Sequence, residues 1–296
     1  MKKMKMILTK RKQKWVESRK PDVLRGTPLT MNIASADKYA RALESLIEKM
    51  TNETERELHR FFRGKTAKEF FAQDASPTSQ ARILTNALIN KFEALFNKKA
   101  KPLAEQMANN VDKNSSAALH SSLEQLSGGL SLPTSALSGT ELEILNASIL
   151  ENVALIKSIP SQYLNGVQQA VARSITTGNG MKDLVPYLKK HKGITQRRAR
   201  MIALDQTRKA FSNLNGGRMQ KLGIKKFEWL HTGGSNEPRK LHQQMSGKIY
   251  SMDNPPIIDK NTGERGFPAQ LINCRCRMIP VIDLSGANDD NNSTSN

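Results

Sequence analysis

The feature that most constrains this chain is a change in hydrophobic period near His191. Upstream, apolar residues recur every three or four positions, the stripe of a helix; downstream they alternate, one face of a strand. Tyr39, Leu43, Leu46, Ile47 and Met50 form the first stripe, with Ser35 as its expected N-cap. Ile83, Ala87, Leu88, Phe92, Leu95 and Phe96 form another, and between them a weaker helix over 58–71 is interrupted at Gly64. Pro102 reads as the opening of a helix over 103–118. The run Ser127-Gly128-Gly129-Leu130-Ser131-Leu132-Pro133 reads as a linker. Leu142, Leu145, Ile149, Val153 and Ile156 share a further face that Pro160 is expected to end. A helix over 163–175, a turn at Gly178-Asn179-Gly180 and a short helix over 184–189 complete a helical bundle.

Beyond His191 a helix is expected over 196–222, with Ala199, Ile202, Ala203, Ala210, Leu214 and Gly217 on a narrow face that permits close packing. Gly223 is its natural C-cap. Phe227, Trp229 and His231 then alternate with polar neighbours, as in a half-buried strand. A loop over 233–238, one or two helical turns over 239–246 and a short strand over 248–251 follow. The segment 271–281 alternates again, with Ile272, Cys274, Cys276 and Met278 on one face. The expected fold class is α+β: a mainly helical N-terminal region, then a small C-terminal domain of a long helix and a short antiparallel sheet. The expected domains are a basic flexible or partly helical arm (1–30), a helical region (31–190), the α+β domain (191–282) and a disordered tail (283–296).

Charge restricts the partners. Lys and Arg number 46 against 27 Asp and Glu, a net charge of +19, and a field of that size attracts polyanions. Hydrophobic residues are 38% and aromatics 5% of the chain, which suits long solvated helices or surfaces completed by partner subunits. Residues 1–25 carry ten of the cations against two acids, so the arm is either a solubilising tail or an electrostatic tether. A second cluster holds Lys189, Lys190, Lys192, Arg197, Arg198, Arg200, Arg208, Lys209, Arg218, Lys221, Lys225 and Lys226 against one acid, Asp205. It is either a solvated face that meets an acidic protein or, as the density of charge favours, a sequence-independent contact to double-stranded DNA through phosphates. No apolar run approaches the roughly 18 residues of a membrane span, and no secretory signal follows the basic start, so no membrane partner is expected.

Two cysteines, Cys274 and Cys276, preclude a disulfide framework. On a strand both thiols would face one way, with Arg275 and Arg277 opposite. They are either two small buried thiols or soft ligands to zinc, with His231 and His242 as the nitrogen ligands. No cofactor other than such a zinc is expected. No Walker-type loop or nucleophile elbow is present, and Glu237, Arg239 and His242 lack a positioned nucleophile.

Several pieces stand in a specific order: Ile202-Ala203, Thr207-Arg208-Lys209-Ala210-Phe211-Ser212-Asn213, Phe227-Glu228-Trp229, Pro238-Arg239-Lys240-Leu241-His242, Gly247-Lys248-Ile249-Tyr250 and Asn273-Cys274-Arg275-Cys276-Arg277. Over about 197–281 this order resembles the Mu F-like head morphogenesis domain of tailed phages, the minor head protein family. The chain departs from that family at Leu204-Asp205-Gln206-Thr207, where Arg-Thr-Glu is usual, and at Met245-Ser246, where Leu-Asp is frequent. The resemblance implies a structural, non-enzymatic protein of the virion, made in the host cytoplasm and present in few copies per capsid. It would bind the portal protein and capsid or scaffold proteins, and act in head assembly and DNA packaging or delivery. The alternative expectation is a metal-dependent nuclease or delivered toxin centred on His242 and the Cys274/Cys276 pair.

Overall fold

The computed structural model of the chain describes residues 8–19, 21–63, 76–135, 137, 139–234 and 237–284. The first seven residues of the arm, the Gly64 break with the helix expected beyond it, and the tail from 285 lie outside them. The described elements are α1 (Lys10–Arg19), β1 (Val23–Arg25), α2 (Ile33–Phe62), α3 (Pro77–Ser127), α4 (Gly139–Thr177), α5 (Met181–Lys221), β2 (Lys226–Leu230), α6 (Lys240–Met245), β3 (Ile249–Ser251) and β4 (Arg277–Asp283). The α+β class expected from the sequence is therefore observed.

The helices are longer than expected. Pro102, Pro160 and Pro186 lie inside α3, α4 and α5 rather than at their ends. An interior proline costs a helix about 3 kcal/mol. Burial on both sides offsets it: Ala100 and Ala104 flank Pro102, and Ile159 and Tyr163 flank Pro160. Ser35 is not a cap, because α2 already begins at Ile33. Gly223 does end α5, with φ +76° and the Ile224 N–H donating to the Met219 carbonyl at 2.9 Å.

The chain forms two compact units, and neither follows the contiguous domains expected from the sequence. The reason is the length of α3, α4 and α5, each of which supplies residues to both. One unit, Ala34–Met107 with Ser148–Leu204, contains helices and no strand among its described residues. Its core includes Leu43, Ile47, Met50, Phe92, Phe96, Tyr163 and Val167. Tyr39 donates its hydroxyl to Asn152 Oδ1 at 3.0 Å within it.

The other unit, Met1–Ile33 with Ala108–Ala147 and Asp205–Asn296, contains the sheet, in the order β1-β4-β2-β3 with every pair antiparallel. Phe227 pairs with Pro280 and Trp229 with Met278. Of the two readings of the arm, flexible or partly helical, its described part shows the helical one in α1, and β1 pairs Val23 with Asp283, the residue at which the tail was expected to start. Two polar contacts hold that crossing. Ser122 Oγ accepts the Thr27 N–H at 2.9 Å and donates to the Thr27 carbonyl at 2.8 Å. A Cβ on Gly26 would lie 2.4 Å from the same oxygen, so only glycine permits this approach.

Arg218, expected on a basic surface, is instead a structural residue of this unit. The residue is 1% exposed. It donates to the Thr134 carbonyl at 2.9 Å, to Ser115 Oγ at 2.5 Å and to Asp112. Arg218→Ala would leave three acceptors without their donor, and a loss of about 3 kcal/mol is expected in urea denaturation of the full chain. Arg218→Lys should recover only part of that loss, because a single ammonium cannot span the same three acceptors in a planar fork.

Candidate metal centre

The sequence places Cys274 and Cys276 on a strand, but β4 begins only at Arg277. The pair lies in the extended segment that leads into it. The alternation survives nonetheless: Cys274 and Cys276 are buried while Arg275 and Arg277 are exposed. Ile272, expected on the cysteine face, is exposed, because the chain turns at Asn273 with φ +60° before the alternation starts.

His242 stands on α6 and is 2% exposed. Its Nε2 lies 3.0 Å from the Ile258 carbonyl, so that nitrogen carries the proton and donates. Nδ1 is thereby left with a lone pair, 3.5 Å from Cys274 Sγ and 3.7 Å from Cys276 Sγ. The ligating atoms of His242, Cys274 and Cys276 all lie within 4.8 Å of one another. His231, half-buried just after β2, brings its Nδ1 to 3.5 Å from Cys276 Sγ. Three of the four residues expected to gather thus form one buried cluster, and the fourth touches it from the side. Neither thiol is in a disulfide.

The cluster favours a thiolate. The S–H of Cys276 lowers the pKa of Cys274 by donating to its sulfur, and burial opposes this. The same shared proton, with burial, pushes the Cys276 thiol up. Trp229 packs edge-on against His242, with ring centroids 5.1 Å apart.

Several side chains that hold the cluster in place are not evident in the sequence. Asp205 Oδ1 accepts the Asn273 N–H at 2.7 Å and so pins the turn before Cys274. Thr232 donates its hydroxyl to the Arg275 carbonyl at 2.7 Å. Arg239 donates to the Ile272 carbonyl at 3.0 Å, and Ser246 Oγ accepts the His231 N–H at 3.0 Å. The one available signal was Asp205, the lone acid in a run of twelve cations.

The cations divide between the units. In the helical unit Lys189, Lys190 and Arg197 are exposed and Arg198 is half-buried. Lys192 donates to Asn52 Oδ1, and Arg200 pairs with Glu44 at 3.0 Å. In the other unit Lys221 is exposed, Lys209 is half-buried and Arg218 is withdrawn into the core. Arg208 lines a cavity of about 320 Å³ with Arg275 and Arg277, two arginines that sequence reasoning did not connect with it. Among the described residues no Asp or Glu lines that cavity. Burial, and then Arg275 beside it, lowers the pKa of Arg208.

Residues 165–279 match the family described as phage Mu protein F like protein. This stretch is similar to that family. It begins inside α4, upstream of the resemblance read from the sequence, and runs through His231, His242, Cys274 and Cys276. A Haemophilus influenzae protein described as uncharacterized is 31% identical over 260 residues, covering 86% of this chain and 55% of its own length. The chain thus spans about half of that relative. No solved structure matches the chain.

Burial is the largest influence on Asp205 and raises its pKa, against the lowering effect of the Asn273 N–H and of Lys209 and Arg208. A carboxyl raised in the fold contributes stability below its unfolded pKa and loses it as the pH climbs through the folded value. Asp205→Asn, which keeps the acceptor oxygen without the charge, should therefore be at least as stable as the parent at neutral pH. Asp205→Ala should lose about 1–2 kcal/mol by leaving the Asn273 N–H unmatched. Thermal melts of the two variants at pH 7 check both outcomes.

Proposed function

We propose that this chain is a structural minor head protein of a tailed bacteriophage. It acts in the virion at the portal, contacts the packaged double-stranded DNA without regard to sequence, and assists head assembly and DNA packaging or delivery. The observation that carries this reading is the Mu F-like match over 165–279. The net charge of +19 and the acid-free cavity lined by Arg208, Arg275 and Arg277 support contact with a polyanion. Lys189, Lys190 and Arg197 are the exposed cations best placed to meet phosphates. The portal, capsid and scaffold proteins are the protein partners in this proposal.

The same protein works by binding rather than by turnover. His242 is buried with one ring nitrogen committed to the Ile258 carbonyl, and Arg239 is committed to Ile272, so neither is presented as an acid or base to a solvent-borne substrate. No helix among the described residues is long and apolar enough to cross a membrane.

The test is co-sedimentation of the full chain with purified portal, together with DNA retardation across a salt series. Binding to both is expected, with DNA affinity falling steeply as salt rises. The combined Lys189→Gln, Lys190→Gln and Arg197→Gln variant should reduce the log–log salt slope by about 0.9 for each phosphate left without its cation, or about 2–3 in all. Indifference to both partners would overturn the reading. So would plasmid cleavage in the presence of divalent metals that disappears in His242→Ala, the behaviour of a nuclease.

A further inference from the structure

We infer that Cys274, Cys276 and His242 bind a single zinc ion, that His231 closes the site as fourth ligand, and that the metal is structural. The first observation is geometric. A tetrahedral zinc with Zn–S bonds of about 2.3 Å and Zn–N bonds of about 2.0–2.1 Å has sulfur–nitrogen edges of about 3.5 Å. Three such edges are already present, at 3.5, 3.7 and 3.5 Å. Hydrogen bonding alone does not require that pattern. The Nδ1 lone pair of His242 can accept one S–H, yet two sulfurs converge on it.

The second observation is the tautomer. A metal-bound histidine ordinarily donates its other ring N–H to a carbonyl or carboxylate, which orients the ring and fixes the free nitrogen toward the ion. His242 makes that contact to Ile258 from a position 2% exposed to solvent. The backbone on either side of the sulfurs is also held, by Asp205 at Asn273 and by Thr232 at Arg275.

The third is charge. A buried thiolate without a counter-ion is costly, whereas two thiolates, two neutral imidazoles and one Zn²⁺ sum to zero. Soft sulfur with imidazole in a tetrahedral arrangement favours zinc over magnesium or calcium, which take oxygen ligands. His231 reaches Cys276 and needs to swing only toward the common centre to replace a solvent ligand. The ion would then tie together three segments distant in sequence: the end of β2, α6 and the approach to β4. Four protein ligands leave no open position for substrate, which is the signature of a structural rather than a catalytic zinc.

The test uses the full chain purified under reducing conditions without added chelator. One zinc per chain is expected by elemental analysis. Cobalt(II) substituted for zinc should give the visible bands of a tetrahedral site and a near-ultraviolet sulfur-to-metal charge-transfer band. Chelation should lower Tm, and added zinc should restore it. Cys274→Ser and Cys276→Ser should each abolish the charge-transfer spectrum of a two-thiolate site. Because those variants could fail to fold, His231→Ala provides a milder probe: it should remain helical by circular dichroism and bind zinc about tenfold or more weakly. A folded, cooperatively melting protein that takes up no zinc would overturn the inference. An unchanged Tm on metal removal would overturn the structural role, and undiminished affinity in His231→Ala would overturn the closed site. Zinc content, the cobalt spectrum and Tm are read without portal or DNA, so the zinc site and the proposed function fail separately.

Discussion

The mixed unit depends on β4 lying between two strands. It hydrogen-bonds to β1 on one side and β2 on the other, and the chain that leads into it carries both cysteines. A strand in that position must satisfy its backbone on both edges while its side chains are covered; Met278, Ile279, Pro280 and Val281 are all buried. Pro280 has no N–H to offer a ladder, yet its carbonyl still accepts the Gly26 N–H at 2.9 Å. The N-terminal segment therefore completes the sheet at its β4 edge. This is the physical reason that the described part of a stretch so rich in cations and poor in apolar side chains has a fixed place in the fold.

The positive charge of the chain serves more than one purpose, and burial separates the uses. Arg218 is part of the fold, Lys192 and Arg200 tie helices together within the helical unit, and Lys189, Lys190 and Arg197 face solvent. Arg208, Arg275 and Arg277 share a concave surface next to Cys276. Of these groups only the last two are placed to attract a polyanion. A basic composition thus overstates the binding surface, since a guanidinium that saturates Asp112, Ser115 and Thr134 contributes nothing to an external phosphate.

The cysteine cluster and the arginine cavity share a wall, because alternation along 274–277 sends sulfur inward and guanidinium outward. Whatever rigidifies the sulfurs also fixes the direction of Arg275 and Arg277. The sulfur cluster and the charged surface are in this way two faces of one extended tetrapeptide.

Much of this was legible in the residues themselves. The α+β class, the C-cap at Gly223, the strands around Phe227–Trp229 and Ile249–Tyr250, the inward alternation of Cys274 and Cys276 and the family resemblance all rest on local period and local motif, which survive whatever the chain packs against. The prolines at 102 and 160 were misleading, because the helix penalty they carry is local whereas the burial that outweighs it comes from other segments. The ordering of the arm, the interior place of Arg218, the turn at Asn273 held by Asp205, and the way α3, α4 and α5 are shared between two units were decided only by tertiary structure. Each depends on a partner far away in the chain: Ser122 for Thr27, Asp112 for Arg218, Asp205 for Asn273. The sequence by itself determined which residue types could gather as metal donors; the fold alone decided that His242 turns Nδ1 toward both sulfurs, because the Ile258 carbonyl that accepts from the opposite ring nitrogen, Nε2, belongs to a loop no spacing rule connects to it.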